Sequence, residues 1–438
     1  MYGYYFSLAL RSFKRNRILT ALMVLAIAFG IGASMTTLTV FRTLSNEPMP
    51  GRGGTIFYPQ LDVGSMEGYA PGGEPADQLT RYDAEELLRQ KRADRQTITK
   101  RGDVLIKPQR GELSVFPSDA RYTTSDFFIM FQTPFLHGNG WSKKEDDERS
   151  RIAVISKRLN EKLFGGANSV GQSLLVNGSQ LRIVGVLDDW RPVPKFYDLY
   201  GDPYGDVEQV ILPFSTSRDL RLDVSGRMQC WSEDDLDSDP EGPTAVNSPC
   251  LWLQYWVQLD SPEKAEAYLQ YLKNYSEQQR AAGRFERPTN VRLRNLNEWL
   301  EFREIVPSDA KLQLWLALGF LLVCLLNTSG LLFAKFLRRS NEIGVRRALG
   351  ATRKEIFTQY LVESGVVGFV GGVAGLMVAF AGLWAVRQRA ASYSDLVQLD
   401  PVVLFLTFAL AVVASMIAGL LPAWRACQVV PAMQLKMQ

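Results

Sequence analysis

The run Ser340–Tyr360, SNEIGVRRALGATRKEIFTQY, lies between two long apolar segments, and its reading decides the fold. It is basic, amphipathic and punctuated as two short helices. Ser340 suits an N-cap, with Glu342 near the positive end of the first helix dipole. Ile343, Arg346, Arg347 and Leu349 recur at helical spacing, and Gly350 is a natural stop. Thr352 followed by Glu355 reads as a capping box opening the next helix, whose apolar face begins with Ile356, Phe357 and Tyr360. A basic elbow between two apolar segments predicts a helix pair that leaves and re-enters a membrane.

Four segments support that reading. Leu19–Phe41, Leu312–Ala334, Ser364–Val386 and Val402–Trp424 carry no charge, and Glu363 stands just outside the third. Each is about 23 residues, or roughly 35 Å of helix, against a hydrocarbon core of ~30 Å. The first follows Arg11, Lys14, Arg15 and Arg17 but is longer than a signal-peptide core and lacks a small-x-small cleavage site. It is therefore expected to stay as an anchor. Flanking Lys and Arg set the orientation. They gather before the first span, in the elbow (Lys335, Arg338, Arg339, Arg346, Arg347, Arg353, Lys354) and after the last span (Arg425, Lys436). Both termini and the elbow are expected in the cytoplasm, and residues 42–311 on the far side.

The expected fold class is a membrane protein with four transmembrane α-helices, arranged one then three, and a large α+β domain between helices 1 and 2. Residues 1–17 form an amphipathic cytoplasmic N-terminus, with Tyr2–Phe13 lying on the inner membrane face. Helix 1 and its stalk cover 18–46, and the exported core domain covers 47–307. The second helix is 308–337, the elbow 338–360, the third helix 361–387, the fourth 401–424 and the tail 425–438. Small-residue pairs in the first span, including Gly30 and Gly32, allow close helix approach. So do Gly368, Gly371, Gly372 and Gly375 in the third, within one subunit or between two. Thr36, Thr37 and Thr39 can bond to their own backbone carbonyls and need not line a pore.

Within the exported part, strand-helix-strand occurs at both ends. Thr55–Leu61, Thr80–Lys91 and Thr97–Ile106 form one set. Leu251–Leu259 (LWLQYWVQL), a helix capped by Ser261 with Pro262 at its first position, and Val291–Leu296 form the other. This predicts a split βαβ subdomain from about 55–107 plus 249–297, with an inserted β-rich subdomain from about 108–248. The insert holds a buried strand Arg151–Ile155 and a helix capped by Ser156 and stopped by Gly165 and Gly166. It also holds a hairpin turning at Asn177-Gly178 and a strand Val207–Leu212. Cys230 and Cys250 flank an acidic loop. A disulfide closing it would contribute about 3 kcal/mol; the alternative is two buried thiols. Cys324 and Cys427 fall in a span and the cytoplasm and should not pair. Asp234, Asp235, Asp237, Asp239 and Glu241 lack the Gly and terminal Glu of an EF-hand loop, so a solvated loop is expected.

Composition excludes several functions. The net charge of +3 gives no nucleic-acid signature. The single histidine, His137, leaves a His-based triad or metal cluster unsupported. No GxxxxGK[ST] occurs. Spans without ionisable residues argue against an ion-coupled carrier. No catalytic or metal-binding residues are expected, and no cofactor in these residues.

The stretch NEIGVRRALGATRKEIFTQYLVESGVVGFVGGVAGL resembles the MacB/FtsX-type permeases of ABC transporters. FQTPFLHGNGWSKKEDDERSRIAVISKRLNEKLFGGANSVGQSLLVNGSQLRIVGV and VILPFST are similar to their periplasmic core domain. The resemblance implies a bacterial inner-membrane permease that dimerises, with an identical or different chain, on two cytoplasmic ATPase subunits. Those subunits would bind ATP and Mg. It implies that Glu342, Ile343, Gly344, Arg346, Arg347, Leu349 and Gly350 form the ATPase-docking helix; the alternative is a basic helix on anionic headgroups. Tripartite efflux with an adaptor and an outer-membrane channel is the first expected role. Lipoprotein release is the second, and a signalling module the third. The Cys230–Cys250 loop has no counterpart in the resemblance.

Overall fold

A computed structural model describes residues 17–108, 114–232, 239–306, 308–339, 342, 345–347, 349–388 and 401–427. The expected N-terminal amphipathic helix and Asp234, Asp235 and Asp237 lie outside these. The chain divides into two compact units. One comprises residues 46–305, the other residues 1–45 with 306–438.

Among the described residues, the first unit is built on twelve strands. They are β1 (Ile56–Leu61), β2 (Arg95–Lys107), β3 (Phe116–Thr123), β4 (Phe135–Gly138), β5 (Ile152–Ile155), β6 (Ser173–Val176), β7 (Ser179–Leu187), β8 (Val210–Pro213), β9 (Gln229–Cys230), β10 (Cys250–Leu251), β11 (Gln254–Gln258) and β12 (Val291–Asn295). The α-helices among its described residues are α2 (Arg81–Gln90), α3 (Asp126–Met130), α4 (Lys143–Asp147), α5 (Lys157–Phe164), α6 (Phe214–Asp219), α7 (Pro262–Ala281) and α8 (Leu296–Phe302). Local chemistry explains their ends. The Thr80, Ser156 and Ser261 hydroxyls accept from the amides of Asp83, Leu159 and Lys264. Asn177 and Gly178 hold φ of 46° and 81°, the two left-handed residues a type I′ hairpin needs.

Strands β12-β1-β11-β2 pair antiparallel throughout, so β1-α2-β2 and β11-α7-β12 interleave as a split βαβ. The residues expected to form a separate insert continue the same sheet. Thirteen-residue β2 pairs with β11 at its start and with β3 over Thr99–Ile106, giving a ten-stranded order β12-β1-β11-β2-β3-β8-β5-β7-β4, with β6 on β2 and β7. LWLQYWVQL reads as a half-buried strand, yet β11 is buried on both faces. Tyr255 and Val257 enter one core, and Trp256 enters a second with Tyr58, Phe131 and Trp299. The polar positions are covered because they have partners. The Gln254 amide donates to Asp198 at 3.1 Å, within a buried cluster around Arg121. There the Arg121 guanidinium meets Asp198 at 2.6 Å and also bonds Glu208, which accepts from Lys195 and Tyr197. Burial alone would push Asp198 up, but Arg121 outweighs it and holds the carboxyl down to about 2.

The second unit is helical: α1 (Arg17–Leu44), α9 (Ser308–Leu337), α10 (Arg353–Arg387) and α11 (Pro401–Cys427). The first three are long and apolar enough to cross a membrane; the described apolar stretch of α11 is Val412–Trp424. Large apolar side chains such as Trp315, Leu316 and Leu326 on α9 stand exposed, the pattern of a lipid-facing surface. Glycines set the helix spacing. A methyl on Gly371 or Gly375 would lie 2.7 and 2.9 Å from Ile27 and Ile31 of α1. One on Gly368 would lie 2.5 Å from Ser415 of α11. A Gly32 methyl would sit 2.4 Å from Val378, and a Gly30 methyl 3.1 Å from Cys324. These contacts are within one subunit, and Gly372 is buried among them. The Thr36 and Thr39 hydroxyls donate to the Gly32 and Met35 carbonyls at 2.8 Å. Hydroxyls also tie helix to helix: Ser34 to the Ala317 carbonyl, Ser329 to Ala418, Ser415 to Ser364.

Candidate coupling site

The elbow follows the local rules its sequence carries. Gly350 has φ of +100°, its amide donates to the Arg347 carbonyl, and the Ala351 amide reaches the Arg346 carbonyl at 3.1 Å. That pair of bonds is a Schellman stop, and it requires a left-handed residue where the glycine stands. Two residues later Thr352 and Glu355 exchange bonds: the Glu355 amide donates to the Thr352 hydroxyl, and the Thr352 amide to the Glu355 carboxylate. This capping box opens α10. The chain reverses tightly between the two devices.

Side chains then divide the work. The Arg346 guanidinium bonds Glu342 at 2.7 Å and the Gln359 side chain at 2.9 Å. It is a brace tying the elbow to the first turns of α10. Leu349 is 83% exposed and Val345 55% exposed, both apolar on a basic turn. Arg347 is half-buried and Gly350 exposed. Ile343 and Gly344 fall outside the described residues.

One helical turn beyond Gln359, on the same face of α10, Glu363 meets Lys335 of α9 at 2.7 Å. Their side chains are 2% and 0% exposed. Arg339 approaches the other carboxylate oxygen at 3.6 Å, and Lys335 also reaches the Thr20 hydroxyl of α1 at 3.5 Å. Tyr360 packs on Phe336 with ring centroids 4.1 Å apart. The charge-free reading of the spans missed this pair. Both residues lie just beyond the apolar runs and look like water-exposed flanks. Their signal is positional: a cation closes one run and an anion opens the next, so an antiparallel hairpin sets them at one level.

Cys230 and Cys250, paired as neighbours in β9 and β10, form a disulfide. The loop they close is not simply solvated. Glu241 bonds Arg81, and the Thr244 carbonyl accepts from the same guanidinium at 3.0 Å. His137 is half-buried on β4, and Cys324 is a buried free thiol.

An apolar helical unit joined at a basic elbow, with a mixed α/β unit inserted after its first helix, defines a multi-pass membrane protein. Residues 20–275 match the MacB-like periplasmic core domain, and residues 315–431 match the FtsX-like permease C-terminal domain. The chain belongs to the family of MacB/FtsX-type ABC transporter permeases, inner-membrane proteins with a periplasmic domain. It is 23% identical, over 98% of its length, to the macrolide export ATP-binding/permease protein MacB of Syntrophobacter fumaroxidans. It is 22% identical, over 97%, to the pyoverdine export ATP-binding/permease protein PvdT of Pseudomonas aeruginosa. The chain spans 63% and 57% of the lengths of those relatives. Among solved structures, the periplasmic region of MacB from Actinobacillus actinomycetemcomitans aligns with 60% of this chain and 98% of its own. The TM-score is 0.36 and the identity 14%.

Proposed function

We propose that this chain is the permease of an ABC exporter that converts ATP-driven motion into movement of its periplasmic domain. An ATPase outside these 438 residues binds and hydrolyses ATP with Mg. It docks on the cytoplasmic elbow, where Leu349 and Val345 offer apolar contact and the surrounding Arg and Lys offer charge. Four helices span the membrane, α11 being the fourth, and two permease chains work as a dimer. Tripartite efflux, with a periplasmic adaptor and an outer-membrane channel, is the setting; the export named for MacB and PvdT supports it. The chain itself performs no catalysis and holds no cofactor.

The observation that carries this reading is the brace. Arg346 links the elbow to Gln359, and Glu363 one turn on links α10 to α9 through a buried ion pair. A push on the elbow is thus delivered to two helices at once, and buried charge pairs give way only at high energetic cost.

The test uses Leu349→Asp with Val345→Asp. Replacing Arg346 would break the brace and the dock together, so it is left intact. The ATPase is expected to be lost on co-purification, while the Cys230–Cys250 bond persists on non-reducing gels. A complex that survives this change refutes the docking surface.

A further inference from the structure

The periplasmic unit contains a cavity of about 630 Å³ between one side of α2, the start of β2, helix α6 and Glu241 of the disulfide-closed loop. That volume suits a small ligand. Its lining carries both signs of charge, but the two signs are not equally satisfied. Each lining carboxylate has a donor from the protein: Asp219 has Arg151, Asp146 has the Ser125 amide and Trp141, Glu241 has Arg81. The cations differ. Among the described residues, Lys91, Arg95, Arg218 and Arg221 line the cavity with no carboxylate within ion-pair distance.

Arg218 is the decisive one. It is 7% exposed, between the rings of Tyr122 and Trp252. Its guanidinium donates to neutral acceptors only: the Leu222 carbonyl at 2.6 Å, the Thr244 hydroxyl at 3.2 Å and the Ser217 hydroxyl at 3.4 Å. Three of five N–H groups are thereby used, and two remain. Glu241 and Asp223 act on Arg218 only from beyond ion-pair distance, so the buried guanidinium is incompletely compensated, and it cannot neutralise itself by losing its proton. We infer that this cavity binds a small organic anion, whose carboxylate or phosphate group is gripped by Arg218 with Lys91, Arg95 and Arg221 around it. Glu241 lines one wall, held there by its bond to Arg81 and by Thr244, which bonds both Arg218 and Arg81. This site does not depend on the coupling role of the elbow.

Isothermal titration of the full chain in detergent, at low ionic strength, tests the inference with citrate and with inorganic phosphate as probes. Saturable binding is expected for at least one, and which one binds identifies the anionic group. Arg218→Gln should weaken it by about tenfold or more, the loss of one charge-assisted hydrogen-bonding group. Lys91→Gln with Arg221→Gln, two side chains that are exposed and make no bond among the described residues, should weaken it severalfold without touching folding. This pair decides the matter if Arg218→Gln does not fold. Failure of both probes to bind at millimolar concentration overturns the site, as does binding indifferent to these substitutions.

Discussion

Removing Glu363 should do more damage than removing Glu363 and Lys335 together. In Glu363→Gln, the Lys335 ammonium keeps a side chain of 0% exposure and loses its carboxylate at 2.7 Å. Breaking one half of a buried ion pair costs about 3–5 kcal/mol, because the remaining charge is uncompensated. Replacing both with groups of similar shape is close to neutral, since the desolvation penalty of both ions vanishes with their attraction. Lys335→Met with Glu363→Gln should therefore recover most of the loss, leaving a coupling on the order of 3 kcal/mol. Arg339, at 3.6 Å and 12% exposed, is partly hydrated and contributes less. Cys324 is a suitable reporter, as a buried thiol packed against Gly30 between α9 and α1. With Cys427→Ser as background, its modification by a thiol reagent along an SDS titration reads opening of the helical unit. The single variant should open at much lower SDS than the double. If the two open together, the pair is not a buried electrostatic unit.

The helix spacing makes a second prediction. Gly32→Ala forces a methyl to 2.4 Å from Val378 and should cost about 1–3 kcal/mol. Gly319→Ala on α9 meets nothing within 4 Å and should be neutral or slightly stabilising on the same titration. In the periplasmic unit, Cys230→Ser with Cys250→Ser should lower stability by about 3 kcal/mol through the freed 20-residue loop, read as a shift in the urea midpoint of tryptophan fluorescence. The Arg121 cluster predicts an acid response. Asp198 titrates at about 2 when folded, and Glu208 is also lowered, burial being outweighed by Arg121. Their contribution is full above the ordinary carboxylate range near pH 4 and drains away as pH falls toward 2. Asp198→Asn should flatten that part of the urea-midpoint profile, and an unchanged slope would refute it.

What was legible in the sequence was local. Ser156, Ser261 and Thr352 cap where their spacing predicts, and Asn177-Gly178 turns its hairpin. Each of these devices acts within a few residues, so the information is contiguous. What was hidden is relational. Gln254 and Gln258 look like a solvent face, because Asp198 and Arg95, which bond them, lie far away in the chain, although Gln258 also reaches Asp260 two residues on. β2 looked like the boundary of a subdomain, yet its second half is where the sheet continues through β3. Arg346 is bonded to Glu342 and Gln359, contacts that the resemblance to a docking helix does not reveal, while Leu349 stands exposed. Lys335 and Glu363 looked like flanks because hydropathy registers a residue's type and not what covers it.

Buried cations among the described residues follow one rule, and that rule isolates Arg218. Arg121 has two carboxylates, Lys195 shares Glu208, and Lys335 has Glu363. Lys100 is buried without a carboxylate in contact, donating to the Arg227 carbonyl at 2.8 Å. Its burial lowers its pKa to about 8, so it can shed its charge at modest cost. An arginine has no such exit. Burial lowers the Arg218 pKa too, yet a guanidinium stays protonated at any pH the periplasm reaches. Filling that position with arginine is costly for the fold alone, since a lysine carries three donors for the same three acceptors and can shed its charge. Glu241 and Asp223 offset part of that cost from a distance, and an anion entering the cavity beside it offsets the rest. A residue that weakens the empty fold and is satisfied by a ligand is how a binding site differs from a core.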